Sequence, residues 1–444
     1  MSNADLNIKV HIKDYPKLTD GQINYATVVA FLAWSFSVFD FILCGTLLPV
    51  ISEDMGWSTA YSAQVSMYIS ILVFLVSFTV GPIAEKFGRS TGLTVVTAGT
   101  AMSSLLTGFA SGVVMLVAVR AISGLGYQEQ AINSAYMNEI TTNVKRKGFR
   151  YGFVQGGWPI GAMIAAVVST LFLDDLGWRG VFWVGTIPAV IIVLLRFKLK
   201  ESPKWLEMRD VKSLWNQGKK EEAIALGTHY GIDVNKMMGH NPISQLFAPD
   251  LRKHTIFLLA ANILIWFPCQ VFSVLGTTVL TAGKGLSIEN ALVLTIIINV
   301  CAYGGYLVSG ALGDRFGRRN IIFIFWGLCG IFFSIMLFAA SSYYVIMITF
   351  LLGLFCMLGG WATIMTYQGE SYPTRVRAQA VSFQNAWGYL GAIISSGLFS
   401  FLIGATNIIM ASFLAGALPA IVGACCLLGC KKVAPGQKLE DIAQ

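Results

Sequence analysis

The stretch Gly81-Pro-Ile-Ala-Glu-Lys-Phe-Gly-Arg89 occurs twice in this chain, and its repetition decides the fold. The second copy reads Gly310-Ala-Leu-Gly-Asp-Arg-Phe-Gly-Arg318 and begins 229 residues after the first. Each copy lies between long apolar segments. A motif that returns in this way, inside apolar sequence, predicts that one half of a membrane protein repeats the other.

The composition is that of a chain that lies in lipid. Hydrophobic residues make up 55% of the 444 positions and charged residues only 12%, whereas a soluble domain has about 25% charged residues. A helix needs roughly 18 or more apolar residues to cross about 30 Å of hydrocarbon. Twelve such segments can be placed, numbered here as spans 1 to 12: 24–51, 61–84, 91–110, 112–138, 149–173, 178–199, 254–281, 288–313, 319–340, 342–370, 376–402 and 405–431.

The repeat extends beyond the first motif, because the glutamine-containing segment 155–162 returns at 384–392. We therefore predict an all-α membrane protein with two six-helix bundles related by a pseudo-twofold axis, each bundle being one copy of a duplicated unit. Within the long polar linker, residues 212–226 predict one short surface helix. The predicted parts are an N-terminal tail 1–23, a first bundle 24–199, a linker 200–253, a second bundle 254–431 and a C-terminal tail 432–444.

The net charge of +8 follows the membrane topology. Most lysines and arginines fall in the tails, the linker and the loops on one side of the predicted bundles, which by the positive-inside rule places both termini in the cytoplasm. This distribution argues against nucleic acid as a partner. The eight cysteines lie in or at the ends of spans and predict neither disulfides nor a zinc site. All four histidines are assigned to the tails or the linker, with His254 at the boundary between the linker and span 7, which excludes a histidine proton relay in the membrane.

The repeated loop motif predicts a gate. Its glycines allow a tight turn and close helix approach, and its acids and bases can form charge-assisted bonds in one conformation and lose them in another. A simple basic anchor is the alternative, but it does not explain the recurring acid and glycines. An acid followed seven residues later by arginine also recurs in both halves. The predicted gating residues are Gly81, Glu85, Arg89, Glu139, Arg146, Gly310, Asp314, Arg318, Glu370 and Arg377.

The loop motifs resemble the signature of the major facilitator superfamily, with glutamate at position 85 where aspartate is more usual. The segment 120–126 resembles that family's fourth-helix motif, although a later glycine is missing. Segments 177–188, 201–206 and 370–377 resemble sugar porters and the related sialic acid and aromatic acid:proton symporters. The resemblance covers essentially the whole chain. It implies alternating access in a multi-pass protein of the bacterial inner membrane.

Three ionisable residues, Asp40, Arg120 and Glu129, lie deep within spans, where each costs at least about 2.5 to 3.5 kcal/mol. The depths of Asp40 and Arg120 are compatible with a pair. We predict that Asp40 accepts a proton and releases Arg120 for an anionic substrate, a role that the resemblance to symporters supports; a static ion pair is the alternative. Glu129 is either a second proton site or a group facing a polar crevice.

The second half has no charged residue deep in its spans, so binding there must use neutral groups. Among the candidates for substrate binding, Gln155 and Gln384 are favoured because they occupy equivalent positions in the two halves. Packing alone is the alternative for each aromatic residue. The predicted substrate-binding residues are Arg120, Gln155, Gln270, Asn299, Tyr303, Gln384, Asn385 and Trp387.

These features predict a secondary active transporter, not an enzyme, that imports a small organic anion, such as a sugar acid or an aromatic acid, by proton symport. No phosphate-binding loop, metal cluster or nucleophile arrangement is present in the sequence. The predicted partners are the substrate, protons and the lipid bilayer; protons serve as coupling ion, with no cofactor and no metal, and the protein is expected to be monomeric. A sugar facilitator or sugar:proton symporter, a drug:proton antiporter and, remotely, a transporter-like sensor are the alternatives.

Overall fold

The computed structural model describes residues 12–77, 79–127, 129–140, 150, 153–232, 234, 246–372 and 377–433. These residues form helices joined by short connections, and no strand occurs among them. The first half is all-helical, as its apolar segments predict. Its helices are Asp20–Thr46, Leu48–Asp54, Thr59–Ser77, Val80–Phe87, Arg89–Thr107, Val113–Ile122, Gly124–Tyr127, Glu129–Ile140 and Gly157–Arg196.

The second half is also helical, and it contains three short π-helical stretches that interrupt spans 7 and 12. Its α-helices are Arg252–Pro268, Gly276–Thr278, Ile288–Phe316, Arg318–Phe338, Tyr343–Glu370, Arg377–Gly388, Leu390–Ala405, Ile408–Ser412 and Leu418–Cys426. The π-helical stretches are Cys269–Val274, Val279–Gly283 and Phe413–Ala417, and a 3₁₀ turn at Leu427–Gly429 ends the last span.

Nine helices among the described residues are long and apolar enough to cross a membrane. The helix Phe153–Arg196 covers both predicted spans 5 and 6. Its Gly177 has a φ of 63° and a ψ of 176°, which are not helical, so this residue separates the two spans. Spans 3 and 4 are helical but fall outside the nine. The total of twelve therefore stays a prediction.

Spans 3 and 4 differ from the rest for identifiable reasons. Span 3 is rich in hydroxyl side chains, and those of Thr97 and Thr100 donate to the carbonyl oxygens one turn earlier, which satisfies them inside the helix. The helix of span 4 is interrupted after Ile122, where the Ser123 hydroxyl donates to the Arg120 carbonyl. The chain can therefore bend beside a buried arginine.

Both described ends of the chain lie at one side of the bundle, the side that carries the two loop motifs. Leu18 packs against the cluster that includes Ala84, and the Cys430 carbonyl accepts a hydrogen bond from Arg319. We call this the motif side, and the other end of the bundle the opposite side. The shared location agrees with an even number of crossings.

The linker holds two helices, Pro203–Asn216 and Lys220–His229, where one helix was predicted over 212–226. That prediction is wrong because Gly218, with a φ of 82°, ends the first helix. The two helices pack through a small apolar core that includes Val211 and Leu226. The predicted domain boundaries themselves stay predictions.

Close backbone contacts join the two halves at the opposite side. A Cβ atom on Gly45 would lie 2.1 Å from the Val274 carbonyl oxygen, so span 1 touches span 7 there without a side chain between them. The Thr277 hydroxyl reinforces this contact by donating to the Thr46 carbonyl at 2.9 Å. The Ser400 hydroxyl donates to the Ala60 carbonyl at 2.7 Å, which joins spans 11 and 2. In this conformation the opposite side is closed.

Candidate functional site

Asp40 and Arg120 form a buried ion pair at the centre of the first half. Arg120 Nη1 donates to Asp40 Oδ1 at 2.8 Å, and Nη2 donates to the Asp40 carbonyl oxygen at 2.7 Å. The Ser104 hydroxyl donates to the same carboxylate oxygen at 2.7 Å. Both side chains are 1% exposed or less. The structure thus brings together the two residues whose depths made a pair possible.

Each member of the ion pair has one polar atom that makes no hydrogen bond to another described residue. Among the described residues, Asp40 Oδ2 and Arg120 Nε have no hydrogen-bond partner, although both atoms are buried. A buried polar atom without a partner costs about 1–3 kcal/mol. A proton on Oδ2, or an anion on the guanidinium, would remove part of that cost. The geometry therefore allows exchange of a proton and an anion at one place.

A cavity lies beside Arg120 between the two halves. Its volume is about 30 Å³, room for roughly two water molecules, so the halves have to move apart before a small molecule, which needs a site of about 300–1,000 Å³, can enter. Most of its wall comes from spans 1, 2 and 4, and span 7 closes it. The lining residues are Phe41, Cys44, Gly45, Leu48, Ser66, Ile69, Ser70, Arg120, Ser123, Gln270 and Val274. A cavity with walls from both halves can open to either side as the halves move.

Glu129 belongs to a second buried ion pair. Its partner is Arg196, near the motif-side end of span 6, and Asn133 Nδ2 donates to the same carboxylate oxygen at 2.6 Å. Glu129 has no exposed surface, so the alternative that it faces a polar crevice is wrong in this conformation. The proton role of Glu129 stays a prediction. The sequence analysis missed Arg196 because a cation near a span end is normally exposed at the membrane surface.

Two equivalent ion pairs hold the loop motifs on the motif side. Arg89 Nε lies 3.3 Å from Glu139 Oε1, and Arg318 Nε lies 2.5 Å from Glu370 Oε2. Arg318 also contacts Asp314 at 2.9 Å. The first pair joins the start of span 3 to the end of span 4, and the second joins the start of span 9 to the end of span 10. The acid that follows the fourth span in each half thus meets the last arginine of the loop motif.

The turns in the two motifs depend on glycine. Gly88 has a φ of 111° and Gly317 a φ of 86°, a region that other residues rarely adopt. In the first half Glu201 Oε1 also accepts the backbone N–H of Arg89 at 3.0 Å, next to the N-terminus of that helix. Burial raises the pKa of Glu201, and hydrogen bonds from Ser202 and other backbone N–H groups oppose that rise.

The structure describes the remaining predicted gating residues less fully. Arg146 lies outside the described residues. The backbones of Gly81, Glu85 and Arg377 are helical, and the structure describes only the backbone at these three positions. Gly310 lies in the helix Ile288–Phe316, where a Cβ would meet nothing within 4 Å, so its predicted role in close helix approach is wrong here. The gating role of all these residues stays a prediction.

The Arg318–Glu370 pair gives a direct test of the gate. We expect Glu370→Arg to slow transport about three- to tenfold, because two cations would then face each other at the motif side. Exchanging the charges in Arg318→Glu/Glu370→Arg, with Asp314→Asn so that the new glutamate does not face a second acid, should restore the initial rate of uptake into proteoliposomes to within about twofold. If this charge-exchanged variant were as slow as Glu370→Arg, the pair would have no role in the transport cycle.

The predicted substrate-binding residues do not form a single group. Gln270 lines the cavity, and its Nε2 donates to Ser66 Oγ at 3.2 Å. Gln155 lies in span 5 and accepts a hydrogen bond from Gln130 at 2.7 Å. Tyr303 packs against Gly156, next to Gln155. Asn299 donates to the carbonyl one turn earlier in its own helix at 2.9 Å. Substrate contact stays a prediction for all four.

Gln384 and its neighbours lie in the second half. Gln384 is fully buried and donates to Tyr372 at 3.0 Å and to the Thr255 carbonyl at 3.2 Å. In this conformation it ties span 11 to span 7. Asn385 is partly exposed, and Trp387 is 44% exposed and packs against Phe383.

His254 does not lie in a polar loop, so its predicted location is wrong. It occupies the first turn of Arg252–Pro268 and is 1% exposed. Its Nδ1 accepts the backbone N–H of Lys431 at 3.3 Å, so Nε2 carries the proton and donates to Ser371 Oγ at 3.0 Å. The helix begins just before this residue, and the rings of Tyr367 and Tyr372 cover it.

Aromatic rings from both halves meet next to the cavity, a feature that the sequence analysis missed. The Trp158 ring lies 6.2 Å from Phe41 and 6.4 Å from Trp266 between ring centroids. Tyr389 lies 5.1 Å from Trp266 and 6.5 Å from Phe41. Trp158 and Tyr389 lie in the repeated segments 155–162 and 384–392, which were selected for their glutamines and not for these rings.

Comparison with known proteins finds the same architecture. The family model of the Major Facilitator Superfamily matches residues 29–309 and 302–443. The probable 4-methylmuconolactone transporter of Cupriavidus pinatubonensis is 25% identical over 389 residues, 84% of this chain and 83% of that protein. The niacin transporter NiaP of Acinetobacter baylyi is 25% identical over 393 residues, 84% and 86% of the two chains.

Solved structures agree on the fold. The inward-open structure of the xylose transporter XylE from E. coli matches with a TM-score of 0.70 at 17% identity, over 95% of this chain and 99% of that one. The family match spans nearly the whole chain, and the relatives are transporters, not enzymes. This chain is therefore a multi-pass membrane transporter that belongs to the major facilitator superfamily.

Proposed function

We propose that this transporter imports a small organic anion, a sugar acid or an aromatic or other carboxylic acid, together with protons. The observation that carries the proposal is the buried Asp40–Arg120 pair beside a cavity lined by both halves. The relatives named for 4-methylmuconolactone and niacin support a small organic solute.

Asp40 is the proposed proton acceptor. While it is ionised, it holds Arg120 through two hydrogen bonds. Protonation removes the charge that fixes the guanidinium, and Arg120 can then bind an anion that enters the cavity. A bidentate bond between arginine and a carboxylate is strong and directional. Proton and substrate therefore favour each other's binding, which is the thermodynamic requirement for symport.

The charge balance limits the driving force. One proton carried with one monoanion moves no net charge, so only the pH gradient drives uptake. A second proton would let the membrane potential contribute about 2.3 kcal/mol per 100 mV. Glu129 stays the candidate for that second proton. Its protonation would leave Arg196 buried without a counter-charge, so we expect loading only in a conformation that separates the two residues.

We propose that twelve helices cross the membrane, that the motif side is cytoplasmic and that both termini lie there. The conformation described is then inward-facing, because the halves meet at the opposite, external side. The distribution of basic residues supports this orientation. The bacterial relatives support placement in the inner membrane. We also propose that the protein acts as a monomer.

External closure gives a testable consequence at Gly45. We expect Gly45→Val to block closure, because a Cβ there would lie 2.1 Å from the Val274 carbonyl oxygen. A cysteine introduced as Thr277→Cys, in a variant without native cysteines, should then react several-fold faster with an impermeant maleimide added outside. Gly404→Val is the matched control, since its Cβ would meet nothing within 4 Å. Equal labelling of the Thr277→Cys protein alone, with Gly45→Val and with Gly404→Val would contradict external closure at this contact.

Uptake into proteoliposomes tests the proposed function. A panel of radiolabelled sugars, sugar acids and benzoates is offered with and without an imposed pH gradient. We expect an acid to accumulate above the level reached in liposomes without protein only with the gradient, and a protonophore to abolish that excess. Uptake that only equilibrates, and that survives the protonophore, would indicate a facilitator.

A further inference from the structure

Two tryptophan N–H groups near the centre of the bundle have no acceptor. Trp34 of span 1 is 3% exposed and Trp158 of span 5 is 8% exposed. Among the described residues, no hydrogen-bond partner lies within reach of either indole nitrogen. Buried tryptophan normally finds such a partner, because the unmade hydrogen bond is costly.

A third donor lies one helical turn from Trp158. The Gln155 Oε1 atom accepts a hydrogen bond from Gln130, but Gln155 Nε2 is buried and has no partner among the described residues. The Trp34 and Trp158 rings are 6.0 Å apart, and Gln155 precedes Trp158 by three residues in span 5; we call these three residues the donor cluster. Indole nitrogen can only donate, and the atom of the Gln155 amide that lacks a partner, Nε2, is also a donor. The cluster therefore offers donors.

The donor cluster is connected to the Arg120 cavity by aromatic rings. Phe41 lines the cavity and lies 6.2 Å from Trp158. Trp34 precedes Asp40, the partner of Arg120, by six residues, or about 9 Å along the axis of span 1. An acid that reaches both Arg120 and the donor cluster therefore carries its acceptor several ångströms from its carboxylate, as a para-substituted benzoate does.

We propose that the donor cluster of Trp34, Trp158 and Gln155 is a second subsite, which binds a hydrogen-bond acceptor at the end of the substrate remote from its carboxylate. The substrate is then a flat aromatic acid with a carbonyl, carboxylate or ring nitrogen opposite the group held by Arg120. Its ring packs against Phe41, Trp158 and Trp266. This inference rests on the proposed function, because it takes Arg120 as the carboxylate site.

The test uses two acids of nearly equal shape. 4-Acetylbenzoate carries an acceptor, and 4-isopropylbenzoate has a methyl group in place of that oxygen. Isothermal titration calorimetry on the purified full-length transporter measures both affinities, together with those of benzoate and glucuronate. We expect the wild type to bind 4-acetylbenzoate about tenfold more tightly than 4-isopropylbenzoate.

Phenylalanine substitutions remove the donors and keep the rings. In Trp34→Phe/Trp158→Phe, the ratio of the two affinities should fall to about one, while 4-isopropylbenzoate binds at least as well as to the wild type. Trp183→Phe is the matched control, because Trp183 is 41% exposed and packs against Phe109 on another face; it should keep the wild-type ratio.

The outcomes separate this inference from the proposed function. If the wild type bound glucuronate or benzoate but did not distinguish the two para-substituted acids, the acceptor subsite would be wrong and anion transport would stand. An unchanged ratio in the double variant would also overturn the subsite. If no acid bound at all, the carboxylate role of Arg120 would fail, and this inference with it.

Discussion

Asp40→Asn is expected to abolish accumulation of substrate while leaving exchange intact. Asparagine keeps the shape of the side chain and can accept the Arg120 and Ser104 hydrogen bonds, but it cannot take up a proton. With one proton carried per monoanion, a gradient of one pH unit gives about tenfold accumulation in the wild type, since one pH unit is worth about 1.4 kcal/mol. The variant should reach no more than the external concentration.

Two assays separate loss of coupling from loss of folding. Counterflow, in which unlabelled acid inside exchanges for labelled acid outside, needs no proton movement and should proceed in Asp40→Asn at a rate within about tenfold of wild type. Asp54→Asn is the matched control outside the predicted spans. Hydrogen bonds from Trp178 and Arg179 lower the pKa of Asp54, so it stays ionised at neutral pH and is no alternative proton site. Undiminished accumulation by Asp40→Asn would remove Asp40 from the coupling mechanism.

Arg120→Gln should weaken carboxylate binding about 100-fold. Hydrogen bonds to a charged group contribute about 1.5–3 kcal/mol, and the substitution removes the charge together with the bidentate geometry. The affinity for a neutral analogue should change little, so benzoate and benzamide form the diagnostic pair in a calorimetric titration. Benzoate affinity should collapse toward that of benzamide.

The loss of Arg120 also leaves Asp40 buried without its counter-charge, which costs about 3–5 kcal/mol unless the carboxyl takes up a proton. The double variant Asp40→Asn/Arg120→Gln removes both charges and should recover thermal stability but not benzoate affinity. Arg179→Gln, at an exposed pair with Asp54, controls for the loss of an arginine. If Arg120→Gln bound benzoate as tightly as the wild type did, Arg120 would not be the anion site.

The repeat explains why much of the fold was predictable. Membrane spans need long apolar segments, and the two copies of the loop motif divided those segments into two sets. The ion pairs of Arg89 and Arg318 were not predicted, because their partners Glu139 and Glu370 were grouped with the arginine seven residues later in the chain. The Asp40–Arg120 pair could be predicted from the similar depths of the two residues in their spans, since a charge buried in the membrane needs a partner.

Other parts of the site depend on packing that a linear pattern does not contain. Arg196 lies near the end of predicted span 6, where a cation normally reaches the membrane surface, yet its side chain pairs with Glu129 inside the bundle. His254 lies at a helix start that two tyrosine rings cover. The unpartnered indole groups of Trp34 and Trp158 become visible only when every neighbour is in place.

The most direct test of proton symport is the pH change that accompanies substrate entry. Glucuronate, which crosses lipid poorly, or benzoate with empty liposomes as control, is added to weakly buffered proteoliposomes with a pH dye outside and no imposed gradient. The account predicts that the medium becomes alkaline as the acid enters through the wild type, and that Asp40→Asn gives no such change. Entry of labelled acid through the wild type without any alkalinisation would contradict it.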